Sequence, residues 1–197
     1  MPAKIVLVNG SPKKNGNTFY LLSEMKKHIK DAGAECEILY INEGLMKAKH
    51  PFCVCCSSPC SKSCYKDTLL DEMLLKMRDA DAIVFGSPVY FGSMSAQLKA
   101  LFDKMRDIRA DKAFLGKIGC AVASGASKYG GQETAVRAIH DCMLVMGMNI
   151  AGDSDSEAGS GHFGVCAWQK ELDDEYTVNR LKAMSLRIVK EAEKNSN

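Results

Sequence analysis

Five of the chain's nine cysteines fall within twelve residues: Cys53, Cys55, Cys56, Cys60 and Cys64. The other four, Cys36, Cys120, Cys142 and Cys166, are scattered. In a reducing compartment so dense a set of thiols reads as metal binding or redox chemistry before structural disulfides. Four thiolates on one short loop suit tetrahedral zinc. They equally suit an iron–sulfur cube, in which protein sulfur supplies one ligand per iron. Two or more of these thiols could instead form a redox-active disulfide. The residue types leave all three open.

Three further stretches gather Gly, Ser and Asn. The first, Gly10-Ser11-Pro12-Lys13-Lys14-Asn15-Gly16-Asn17-Thr18, runs directly into a helical pattern. A helix N-terminus offers free backbone N–H groups and a partial positive charge, which suit a phosphate. Ser11, Asn17 and Thr18 add hydroxyl and amide donors, and a lysine adds charge, although Ser, Asn and Thr are also good helix caps. The Gly-Lys-Ser/Thr ending of a Walker loop is absent. The second stretch, 86–95, places Tyr90 and Phe91 between small residues, which suits a flat aromatic ligand as well as it suits a lid over a sheet end. The third, 124–134, contains Gly125, Gly130 and Gly131, which permit close backbone approach to a ligand. One phosphate seat and two seats for a planar ring fit FMN better than ATP, because no metal-binding acidic residue accompanies the first loop.

These stretches have to be positioned by regular elements. Apolar periodicity predicts strands at 4–9, 36–41, 82–85, 118–123 and 148–151, and helices at 17–32, 68–78, 95–105, 132–146 and 173–193. Leu22, Met25 and Ile29 mark the buried face of the first helix, Leu69, Met73 and Met77 that of the second, and Leu98, Leu101, Phe102 and Met105 that of the third. Strands that alternate with helices specify an α/β fold: a parallel sheet covered on both faces, a three-layer sandwich with strand order 2-1-3-4-5. The three loops then share the edge of the sheet formed by the carboxyl ends of its strands. The cysteine-rich segment, about 50–66, is an insertion in one domain that spans 1–197.

A formal net charge of +2 gives no argument for nucleic acid or for an acidic membrane surface. No apolar run approaches the roughly 20 residues that span a bilayer. Lys4 leads into only four apolar residues before Asn9-Gly10-Ser11-Pro12, short of the about 7–15 of a secretory h-region, so a cytoplasmic location is expected.

The stretch Gly10-Ser-Pro-Lys-Lys-Asn-Gly-Asn-Thr18, then Gly86-Ser-Pro-Val-Tyr-Phe-Gly92 with Ala96-Gln-Leu-Lys-Ala-Leu-Phe-Asp103, then Gly130-Gly-Gln-Glu-Thr134, resembles the NAD(P)H-dependent FMN reductase group of flavodoxin-like proteins. Within that group it is most similar to the iron–sulfur flavoproteins. The resemblance implies FMN phosphate ligands at Ser11, Lys13, Asn17 and Thr18. It implies ring contacts from Pro88, Val89, Tyr90, Phe91, Gly92 and Ser93, and from Ser124, Lys128, Tyr129 and Gly130. It also implies a homodimer or homotetramer with the flavin near a subunit boundary, and an aromatic stretch at 161–168 that could bring His162 or Trp168 to a flavin.

Iron–sulfur flavoproteins carry a compact C-x2-C-x2-C-x4–7-C pattern at this place in the chain. Here the spacing is Cys53-x2-Cys56-x3-Cys60-x3-Cys64, with the third cysteine displaced by one and Cys55 as an extra candidate. Cys53, Cys56, Cys60 and Cys64 are therefore the expected ligands of a [4Fe–4S] cluster. His50 is a minor additional candidate, while His28 and His140 read as ordinary helix residues. The expected function is electron transfer between the cluster and FMN, with ferredoxin or NAD(P)H as donor and no protein acid or base required. A cluster-free NAD(P)H reductase of flavins or quinones, and a cysteine-based redox or metal sensor, are the competing expectations.

Overall fold

The computed structural model describes residues 2–168 and 174–195. Strand β1 (Lys4–Asn9) lies at the middle of a parallel sheet between β2 (Glu35–Tyr40) and β3 (Ala82–Pro88). Next to β3 runs β4 (Ile118–Gly125), buried along its whole length, and β5 (Asn149–Ile150) follows, giving the expected order β2-β1-β3-β4-β5. Alternation sends Ile5 and Leu7 to one core layer and Val6 and Val8 to the other. Helices α1 (Asn17–Asp31) and α7 (Glu175–Asn195) cover the first layer through Leu22, Met25, Ile29, Met184 and Ile188. Helices α3 (Leu69–Asp79), α4 (Ala96–Lys104) and α6 (Gln132–Val145) cover the second. In α3 the buried face is Leu70, Met73, Leu74 and Met77, so Leu69, expected on that face, is only partly buried.

Three elements differ from the sequence expectation. Helix α2 (Ile41–Lys47) takes in Ile41, expected to end the second strand, and six residues for which no element was expected, and Gly44 lets it close on α3: a Cβ there would meet Met73 Sδ at 2.8 Å. Helix α5 (Arg106–Ala110) continues beyond a break at Met105. The fifth strand position is filled in two pieces. After β5 the chain leaves the sheet, and β6 (Val165–Trp168) returns beside Val122–Gly125 of β4. The predicted start of the last helix, Asp173, lies outside the described residues. Among the described residues, no helix is long and apolar enough to cross a membrane.

Candidate functional site

Parallel pairing brings the carboxyl ends of β1, β3 and β4 to one edge of the sheet, and the loops that leave them touch. Gly10 N donates to Gly86 O at 2.8 Å, and a Cβ on Gly10 would meet that oxygen at 2.8 Å, so the first two loops pack at backbone distance. Ser95 caps α4, accepting from Leu98 N at 3.1 Å, while its hydroxyl donates to Gly10 O at 2.6 Å. Val89 N donates to Ser124 O at 2.9 Å, which links the second loop to the third.

The first loop enters α1 through Gly16, and no side chain caps the helix or places an acid in its first turn. Its N-terminal N–H groups are thus left for an anion. Lys14 is engaged with Glu43 at 2.8 Å, whereas Lys13 is exposed and has no ion pair among the described residues. Ser11 and Thr18 are buried, and Thr18 Oγ1 lies 3.2 Å from Ser124 Oγ. Two hydroxyls that share one hydrogen bond leave one hydrogen free for an outside acceptor. At the tip of β1, Asn9 is fully buried. Its Oδ1 accepts from Ser11 N at 3.0 Å, and its Nδ2 has no partner among the described residues. A buried amide donor without an acceptor is costly, and an added anion relieves it. Sequence reasoning passed over Asn9 because it reads as the last residue of a strand.

The second loop is a tight hairpin. Tyr90 and Ser93 exchange N–H···O bonds at 3.0 and 3.1 Å, and Phe91 and Gly92 both hold positive φ, +51° and +71°. Phe91 is thereby presented fully to solvent, and in the third loop Tyr129 is 92% exposed. The third loop is braced by Gln132, whose Oε1 accepts from Gly130 N at 2.9 Å while Nε2 donates to Ser127 O at 2.6 Å and reaches Ala167 O at 3.4 Å. Lys128 is exposed on the same loop. All fourteen residues expected at the flavin therefore lie on the three loops that converge here or on the strand and helix ends that flank them. A bare helix end, spare donors and flat exposed aromatics fit a phosphorylated planar ring.

His162 and Trp168 take different places. Trp168 ends β6 opposite Gly125. His162 is held on the buried carboxylate of Asp153, with Nδ1 3.2 Å from Oδ2 and Nε2 3.4 Å from the Tyr176 hydroxyl. Arg180 Nε stands 3.6 Å from the same carboxylate.

All nine cysteines are unpaired. Burial pushes the Cys36, Cys120 and Cys166 thiols up to about 12 and raises Cys142 as well, so these four stay protonated. The five clustered cysteines instead lie on one partly open loop between α2 and α3. That loop is pinned at its far end, where buried Tyr65 donates its hydroxyl to Asp107 of α5 and Lys62 pairs with the same carboxylate at 2.9 Å. Arg106 donates to Ser57 O at 3.1 Å and lies beside Cys55, Cys53 and Cys60. Lys104, the last residue of α4, is 1% exposed and donates to Cys64 Sγ at 3.4 Å. The donor set suits a thiolate-ligated metal centre. The four expected ligands share the loop without being drawn together, and among the described residues no three His, Cys, Asp or Glu side chains are grouped to hold a metal ion.

A model of the family described as NADPH-dependent FMN reductase matches residues 3–162. The chain belongs to this family. It is an FMN-dependent oxidoreductase of flavodoxin-like fold. Among its relatives are an iron–sulfur flavoprotein of Methanocaldococcus jannaschii, 41% identical over 82% of each chain, and one of Methanosarcina thermophila, 36% identical over 87% of this chain and 85% of that one. A flavodoxin, WrbA-like protein from Agrobacterium tumefaciens superposes with a TM-score of 0.70 at 14% identity, covering 98% of this chain and 99% of that one. This last likeness shows the fold alone.

Proposed function

We propose that this family member is a cytoplasmic iron–sulfur flavoprotein, one domain in which electrons pass between a [4Fe–4S] cluster and FMN. The observation that carries the cluster is the partition of the cysteines: four are scattered, their thiols kept protonated by partial or full burial, and five unpaired ones are gathered on a single loop. Cys53, Cys56, Cys60 and Cys64 supply the thiolates, the naming of two relatives as iron–sulfur flavoproteins supports the same reading, and Cys55 is left over. Ser11, Lys13, Asn17, Thr18 and the N-terminus of α1 hold the phosphate. Pro88 to Ser93 and Ser124, Lys128, Tyr129 and Gly130 hold the ring. When bound, FMN supplies two-electron chemistry that can be divided into single steps, and the protein supplies position and surrounding charge.

Helix α4 joins the two centres mechanically. Ser95 at its start is bonded to the first loop, and Lys104 at its end touches Cys64, over nine helical residues or about 13 Å. Fully exposed Phe91, held at φ +51°, gains cover when chains associate, which supports a homodimer or homotetramer. Reduced ferredoxin or NAD(P)H is the electron source.

Anaerobic purification followed by iron, sulfide and flavin counts tests the proposal. Four irons, four sulfides and one FMN per chain are expected, with visible bands that bleach on dithionite addition. Flavin without iron, together with rapid NADPH oxidation, would instead mark a cluster-free reductase. Colourless protein containing zinc would mark a metal sensor.

A further inference from the structure

Lysine is among the residues least often buried without a partner, yet Lys104 is 1% exposed. Among the described residues no carboxylate lies within ion-pair distance of its amine. Asp107 is taken by Lys62 at 2.9 Å and by the Tyr65 hydroxyl, and Asp103 is taken by Lys99 at 2.7 Å. What Lys104 Nζ does meet is Cys64 Sγ at 3.4 Å and the face of Tyr65, whose centroid is 5.9 Å away. A neutral thiol is a weak acceptor and a poor counter-group for a buried ammonium. A metal-bound cysteine sulfur carries negative charge and is a good one.

From this geometry we infer that Lys104 is a positioning residue that sets the reduction potential of the cysteine-loop centre, by giving Cys64 an N–H···S hydrogen bond and fixing a buried positive charge beside it. The inference rests on the reading of the loop as a [4Fe–4S] site. Reduction adds one electron and hence one negative charge to a centre already negative through its four thiolates. A fixed cation stabilises the reduced form more than the oxidised one, and hydrogen bonds to the sulfurs act in the same direction. The potential is therefore raised. The electron comes from an external one-electron reductant, and no bond forms or breaks. Burial matters to the size of the effect, since Lys104 is shielded from solvent and screened less by salt than a surface lysine.

The test uses holoprotein purified anaerobically as wild type, Lys104→Met, Lys104→Gln and Lys104→Arg. Each is analysed for iron, sulfide and FMN, then reduced stepwise with dithionite while the paramagnetic signal of the reduced cluster is followed. Lys104→Met, which keeps the length and removes the charge and the donor, is expected to lower the reduced-to-oxidised ratio at fixed ambient potential about tenfold, a downward shift of about 59 mV for one electron. Lys104→Gln, which keeps a donor without the charge, is expected to fall between Lys104→Met and wild type, and it supplies the neutral comparison should Lys104→Met fail to fold. Lys104→Arg is expected to restore most of the wild-type value, and the FMN potential should stay unmoved throughout. Wild-type protein with flavin but neither iron nor sulfide overturns the cluster reading and this inference with it. Iron-loaded Lys104→Met or Lys104→Gln with the wild-type midpoint overturns the role of Lys104 alone.

Discussion

Thr18 Oγ1 and Ser124 Oγ stand 3.2 Å apart, so the first turn of α1 and the end of β4 meet through two buried hydroxyls. This contact joins the loop proposed to hold phosphate to the loop proposed to hold the ring. Thr18→Val keeps the shape and removes one hydroxyl. The dissociation constant for FMN should rise about tenfold, the equivalent of one good hydrogen bond of about 1.4 kcal/mol. Thr18→Glu places a buried carboxylate where the phosphate belongs, and retention of FMN through gel filtration should be abolished. Wild-type FMN content in that variant would remove the first loop from the site.

Gly131 tests whether the second and third loops act together. Its φ is +89°, and a Cβ there would lie 3.0 Å from Gly92 Cα, which is backbone and cannot rotate away. Gly131→Ala should cost about 1–2 kcal/mol for the left-handed conformation and also displace the Tyr90–Ser93 hairpin. Gly159, at φ +75° with nothing within 4 Å of a Cβ, provides the control. Both variants should lower the melting temperature, and Gly131→Ala alone should weaken FMN binding. Equal FMN affinity in the two would uncouple the loops.

The three loops could be read in the sequence because each follows a short β-branched or apolar run, and because Gly, Ser and Asn at a strand end have a local meaning that needs no tertiary information. Helix α2 could not, since seven residues with Gly44 inside show no clear period and the helix forms by closing on α3. Strand β6 is four residues behind a glycine-rich stretch, and only pairing with β4 makes it a strand. Lys104 was hidden for a different reason. A lysine in an amphipathic helix reads as solvated, and its burial depends on where the cysteine loop folds over the end of α4. The spacing of the cysteines identified the loop without showing how its sulfurs are arranged.

The proposed ligand set makes a graded prediction. Cys56→Ala and Cys60→Ala should each lose most of their iron while keeping FMN, because the flavin loops leave β1, β3 and β4 and do not depend on the cysteine loop. Cys55→Ala should keep both, and so should Cys36→Ala, whose thiol burial holds protonated. Metal analysis against flavin absorbance decides the matter. Full iron in both Cys56→Ala and Cys60→Ala would reject the assignment.

The anchor of that loop should respond to acid. Burial alone would push the Asp107 carboxyl up, but the Tyr65 hydroxyl and Lys62 outweigh it and hold the group below its ordinary value of 3.8. A carboxyl that binds its proton less readily folded than unfolded stabilises the fold above the unfolded value, and the stabilisation disappears as pH falls through the folded one. Asp107→Asn removes the charge and should cost about 1–3 kcal/mol at neutral pH, the range for hydrogen bonds to a charged group. The gap in melting temperature between wild type and variant should be constant down to about pH 5 and close progressively toward about pH 2. A gap of the same size at both ends of that range would show that the charge on Asp107 does not hold the cysteine loop in place.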